Sequence, residues 1–202
     1  MLAERGNNLE IISSVLSSYA YHINFQAHRN LQDEAKGAED SLLDVVNLAY
    51  NCNFMNLNNL EKNFPGIDWR AGNNGIGLQV TTTKTWKKIS STIDTIIRNK
   101  IDCEKEIWFL FISNGKYSPK QKHYNGYTIK SITISDLLDQ ISCLSDLNIL
   151  ELKNDILIKL KAWTFDRYTT PTSSYVYNSY SAPQSDLKNF ITHHDLWNSL
   201  GN

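Results

Sequence analysis

Two strand-like stretches of this chain each carry one polar side chain that suits phosphate chemistry. Asp68 lies in "GIDWR" and Gln79 in "IGLQVTT", with an Asn-Asn-Gly turn between them. Side chains alternate across a strand. Ile76, Leu78 and Val80 therefore share one face, and Gln79, Thr81 and Thr83 share the other. By the same count Ile67 and Trp69 face one way and Asp68 the other. Pairing the two strands as neighbours brings Asp68 and Gln79 to one side of a sheet. Glu39 stands on the apolar stripe of an upstream helix, in line with Leu43, Val46 and Tyr50, where a carboxylate needs a partner. Lys84 and Lys88 are one helical turn apart just after the second strand. Lys88 borders the Ile89 and Ile93 face, so its stem can lie along the sheet while its amine reaches back.

Carboxylates around a hard cation, with a lysine nearby, are the parts of a metal-dependent phosphodiesterase. The ion takes oxygen ligands, polarises the phosphate and acidifies its water. The lysine stabilises developing negative charge. On this reading Glu39, Asp68 and Gln79 hold Mg²⁺ or Mn²⁺, and Asp68, Gln79, Lys88 and Lys84 are the catalytic set. Each residue also has a plainer role. Asp68 can bond a turn. Gln79 can be satisfied by Thr81 or by backbone groups. Glu39 can complement a helix dipole, and the lysines can form a solvated face.

The elements that must position these groups follow from periodicity. Leu9, Ile12, Leu16, Tyr19 and Ile23 predict a long helix over 8–34, with a break at Gly37 and a second helix over 39–50. "NCNFMNLNN" reads as a short strand or extended connection, and the hairpin follows. Ile89, Ile93, Ile96 and Ile97 predict one side of a helix over 85–99. "EIWFLFIS" is a strand buried on both faces, and "NGKYSPKQKHYNGY" is a loop. "YTIKSITI" is another strand. Ser135 is the expected N-cap of a helix to about residue 144, and a last helix covers roughly 147–163. The order α-α-β-β-β-α-β-β-α-α predicts an α/β (α+β) fold, a mixed sheet with helices on both faces.

Residues 164–202 change character. "TFDRYTTPTSSYVYNSYSAPQ" reads as a Ser/Thr/Tyr/Pro-rich linker, and "SDLKNFITHHDLWNSLGN" as the start of a C-terminal helical element. The expected domain is therefore 1–163. Net charge is −1, so charge alone does not mark a nucleic-acid binder, although a local patch can do so. Cys52, Cys103 and Cys143 are scattered and odd in number, which argues against a disulfide framework or structural zinc and for the cytoplasm. The longest apolar run, "IWFLFI", is too short to span a bilayer, so no membrane association is expected. His193 and His194 point to different sides of a helix and make a poor metal pair. "GNNGIG" leads into a strand, not a helix, and fails as a phosphate cradle. The Lys- and Tyr-rich loop, with Lys116, Lys120, Lys122 and His123 beside Tyr117, Tyr124 and Tyr127, suits nucleic acid by charge and stacking, or is simply solvated.

"NFPGID", "LQVT" and the "KKISSTI" helix, within a stretch from about Leu9 to Ser113, resemble the SMEK domain of prokaryotic conflict and anti-phage systems. More distantly the stretch resembles the restriction-endonuclease-like PD-(D/E)xK core. The resemblance implies a restriction-endonuclease-like mixed sheet and a Mg²⁺-dependent DNA endonuclease acting as an antiviral effector. Asp68 then matches the first acid of the nuclease pattern, and Glu39 the helix-borne acid that some such nucleases use. Gln79 stands where the second acid usually lies and Thr81 where the lysine usually lies, so Lys88 or Lys84 would have to supply the cation. These departures fit the alternative, an inactive nuclease-like module that binds nucleic acid or a partner protein. The implied partners are DNA, other defence subunits or a fused C-terminal sensor or ATPase domain, and a second copy through the long first helix.

Overall fold

The computed structural model describes residues 2–28, 33–62, 64–72, 75–113 and 115–160. The linker, the C-terminal element, His193 and His194, and the boundary at 163 lie outside these residues.

The first two helices are α1, Leu2–His28, and α2, Asp33–Tyr50. α1 starts earlier than the pattern suggests and ends earlier. Gly37 lies inside α2 rather than breaking it. Strand β1, Phe54–Asn56, leads through a single 3₁₀ turn at Leu57–Asn59 to β2, Trp69–Ala71, and β3, Gly77–Thr81. Helix α3, Trp86–Arg98, then carries the chain to β4, Glu106–Phe111. A short strand β5, His123–Tyr124, turns tightly into β6, Tyr127–Thr133. The end of the expected loop thus pairs as a strand, because Asn125 and Gly126 both take the left-handed conformation that a two-residue hairpin needs. Helices α4, Ile134–Ile141, and α5, Asp146–Lys159, complete the described fold. The cap of α4 is Thr133, two residues before the expected Ser135, in a reciprocal box with Asp136.

The six strands form one mixed sheet in the order β1-β2-β3-β4-β6-β5. β1, β2 and β3 are antiparallel neighbours, and β3, β4 and β6 run parallel. Helices flank both faces. On one face Leu78, Val80, Trp108 and Leu110 join the stripes of α1, α2, α4 and α5. On the other Ile107, Phe109 and Phe111 meet Ile89, Ile93 and Ile96 of α3. β4 therefore points apolar side chains both ways, which is why it reads as one continuous hydrophobic run. Each fully buried Ile or Leu adds roughly 1.5–3 kcal/mol of burial energy. Ile97 departs from the expected stripe of α3 and is 44 % exposed.

Candidate functional site

The pairing of β2 with β3 sets Trp69 opposite Leu78, both facing the four-helix side. One step back, Asp68 faces Gln79 from the α3 side of the sheet. Ile67 does not share the face of Trp69. It packs with the α3 core, because residues before Trp69 have left the strand ladder. Asp68 itself is pinned at both ends of its peptide. Its N–H donates to Leu78 O at 2.9 Å, and its carbonyl accepts from Leu57 N at 2.8 Å.

The carboxylate has three donors. Oδ2 accepts the Val80 N–H at 2.7 Å and a second hydrogen bond from Nε2 of Gln79. The same Nε2 donates to Val80 O at 2.9 Å. Asn58 also donates to Asp68 from the 3₁₀ turn. Burial pushes the Asp68 carboxyl up to about 6, against the Val80 N–H, the Lys88 charge and the Asn58 side chain, which all favour the ionised form. Both Asp68 and Gln79 are only 9 % exposed.

The other expected site residues divide. Lys88 stands in the first turn of α3, half-buried, and its charge acts on Asp68. Lys84 lies outside that helix, in the connection before the Thr85 cap. Thr81 ends β3, and its hydroxyl accepts the Thr83 N–H at 3.1 Å. Glu39 belongs to the backbone of α2, but its side chain lies outside the described residues. The neighbouring Asp40 accepts from Asn56 Nδ2 at 2.7 Å, tying α2 to β1. Asn58 was not among the residues singled out from the sequence. Its role depends on a turn whose own signal is the run of asparagines in "NLNN": Asn56 Oδ1 caps the Asn58 N–H, and Asn58 Oδ1 holds the Phe64 N–H.

These contacts decide what the site can hold. Asp68 Oδ2 and Val80 O do converge, as ligands of a cation would, but one amide nitrogen bridges them. The reverse amide orientation would set Gln79 Oε1 against two acceptor oxygens. A hard divalent ion wants about six oxygen ligands and carboxylate charge. Here one carboxylate already accepts from three N–H donors, and among the described residues no three His, Cys, Asp or Glu side chains come together. Asp68, Gln79 and Val80 by themselves offer too few free oxygens for Mg²⁺ or Mn²⁺, and the third expected ligand, the Glu39 side chain, lies outside the described residues. The described contacts fit a polar clamp that fixes the β2–β3 hairpin above α3.

The pattern of acid, amide and helix lysine on this hairpin can be set beside known families. The SMEK domain matches residues 11–148. The chain belongs to the SMEK domain family. The match runs past Ser113 to include the β5–β6 hairpin, α4 and the start of α5, so the SMEK unit takes in the whole described sheet. No curated protein and no solved structure matches the chain. Among the described residues no helix is long and apolar enough to cross a membrane.

Proposed function

We propose that this SMEK domain is a nuclease-like module that binds nucleic acid without cutting it, within a prokaryotic anti-phage protein. The observation that carries the reading is the Gln79 amide bridging Asp68 Oδ2 and Val80 O. A second carboxylate at that position would share a cation with Asp68, whereas an amide replaces the cation with its own N–H groups. Thr81 supplies no positive charge on the strand. The setting in defence rests on the resemblance of "NFPGID", "LQVT" and "KKISSTI" to the SMEK domain of such systems.

A second reading, the Mg²⁺- or Mn²⁺-dependent endonuclease, keeps one specific support. Lys88 puts a positive charge within electrostatic reach of Asp68, as a migrated catalytic lysine would. The order of helix, three strands, helix and strand also suits a PD-(D/E)xK core. The test is to incubate the purified protein with plasmid and with linear duplex and single-stranded DNA, in Mg²⁺, Mn²⁺ or EDTA. Binding without cleavage is expected. Cleavage that EDTA stops, and that Asp68→Ala removes while the circular dichroism spectrum is kept, would overturn the non-catalytic reading and establish the endonuclease.

A further inference from the structure

The near-neutral net charge conceals a segregation. From Trp69 to Ile101 the chain carries Arg70, Lys84, Lys87, Lys88, Arg98 and Lys100 against one acid, Asp94. Asp94 is turned toward the β5–β6 hairpin, where it accepts from Asn125 Nδ2 at 3.1 Å and from the Tyr124 hydroxyl at 3.5 Å. Acids resume only at Asp102, past the end of α3. The helices on the opposite face of the sheet are acidic by contrast, α2 and α4 most of all.

The basic groups also share a geometry. Lys87, Ser91 and Arg98 are exposed along the outer stripe of α3, and Asp94 shares that stripe with its carboxylate held by Asn125 and Tyr124. At 1.5 Å per residue Lys87 and Arg98 are about 16 Å apart along the helix axis. The Trp86 and Tyr124 rings meet edge to face at 5.5 Å, which ties the start of α3 to β5. Exposed Lys122 and His123 belong to that same edge, where Lys122 O accepts from Ile129 N at 2.8 Å, and exposed Lys120 precedes them in the chain. The rest of the Lys- and Tyr-rich loop has other duties. Lys116 pairs with Asp139 at 3.0 Å, Tyr127 is buried, and Tyr117 packs on Phe111.

Two of these cations stand where local physics disfavours them. Lys87 and Lys88 fall in the first turn of α3, which has no acid. A helix N-terminus repels positive charge by roughly 0.3–1 kcal/mol. Core packing does not require lysine at an exposed position such as Lys87. A polyanion would gain from both the lysines and the helix dipole.

We infer that the outer stripe of α3, from Lys87 to Arg98, together with the Lys120–His123 edge, is a docking surface for a nucleic-acid phosphate backbone. This rests on the nucleic-acid reading above and adds where the strand lies. Phosphates would follow the α3 stripe, and contact would release counterions, making affinity steeply salt-dependent. Tyr124 and Trp86 are half-buried against each other, so charge, not base stacking, supplies most of the binding. Little sequence preference follows.

The experiment measures anisotropy of labelled 20-mers, duplex and single-stranded, with the full chain from 50 to 250 mM salt. The variants are Lys87→Glu, the Lys87→Gln, Arg98→Gln double, and Lys153→Glu on α5 as a control, each lowering the net charge by two. The double variant should bind about tenfold or more weakly, with a salt slope shallower by about two. The control should stay within about twofold of wild type, the loss expected when only long-range charge changes. Comparison of the two oligonucleotides tells which form the face prefers. Unchanged binding by the double variant, or equal losses in the double variant and the control, would overturn the assignment. So would a wild type that ignores both oligonucleotides yet forms a salt-sensitive dimer, with the basic face on a partner's acidic helices. Cleavage of the oligonucleotides bears on the non-catalytic reading alone, because loss of binding in the double variant is scored separately in EDTA.

Discussion

Gln79 faces Asp68 across the β2–β3 hairpin, and its amide nitrogen bridges the Asp68 carboxylate and the Val80 carbonyl. The second donor to that carboxylate is the Val80 N–H at 2.7 Å. An acid just before β2 and an amide on β3 thus form a closed hydrogen-bonded unit. The same unit explains why single polar groups are tolerated in two apolar strands. Each is buried, but none is left without a partner.

Replacing the amide by a second carboxylate tests this directly. Gln79→Glu would set two acids together at a site only 9 % exposed, and it would remove the bridging N–H. The expected cost at pH 8 is on the order of 3 kcal/mol, since a buried charge then lacks compensation. The cost should shrink at pH 5, where one carboxyl can hold a proton. Mn²⁺ should raise the melting temperature of this variant and leave that of the wild type unchanged. A Mn²⁺-dependent rise in the wild type would show that its donor set accepts a metal after all.

Asp68 also sets a pH dependence. Its carboxyl is raised from 3.8 to about 6 by burial. Between those values the folded chain keeps a proton that the unfolded chain releases. The group therefore contributes full stability below about pH 4, and that contribution is lost as pH rises through about 6. A shift of this size corresponds to about 3 kcal/mol at most. Asp68→Asn cannot titrate. The stability of wild type minus that of Asp68→Asn, from urea melts, should fall between pH 4 and pH 7.5. A flat difference would mean that the folded and unfolded carboxyls titrate alike.

Much of this architecture was legible because burial repeats at the period of each element. Ile89, Ile93 and Ile96 define the inner face of α3, and the run through Trp108 and Phe109 defines a strand covered on both sides. The juxtaposition of Asp68 and Gln79 followed from alternation together with the pairing of the two stretches as neighbours. What could not be read was set by geometry between elements. Ile67 left the face of Trp69 because the ladder begins only at Trp69. Asn58 reached Asp68 from a 3₁₀ turn, which carries no periodic signal. β5 is two residues long, below the length at which alternation can show.

The reciprocal cap of α4 should be among the more sensitive polar positions. Thr133 is fully buried. Its hydroxyl accepts from Asp136 N at 3.3 Å and donates to Asp136 Oδ2 at 2.7 Å. Thr133→Ala should cost about 1–2 kcal/mol. That is roughly 2–8 °C in melting temperature for a chain of this size. Thr133→Ser keeps the hydroxyl and should recover most of the loss. Equal melting temperatures for the Ala and Ser variants would show that the methyl, not the cap, matters.

Lys88 links the clamp to the helix start, and its two electrostatic roles oppose each other. Its charge favours ionised Asp68, which needs a cation most when the carboxyl is charged. Its position in the first turn of α3 is disfavoured by the helix dipole at every pH in this range. Lys88→Gln removes both effects. At pH 4.5 Asp68 holds its proton, so only relief from the dipole remains, and stability should rise by roughly 0.3–1 kcal/mol. At pH 8 the lost attraction to the carboxylate offsets or exceeds that gain. The change in unfolding free energy should therefore be more favourable at pH 4.5 than at pH 8, and the Asp68 carboxyl, followed by carbon NMR, should titrate above about 6. An identical change at both pH values, with an unmoved Asp68 titration, would separate Lys88 from the clamp and leave it as a surface cation of α3.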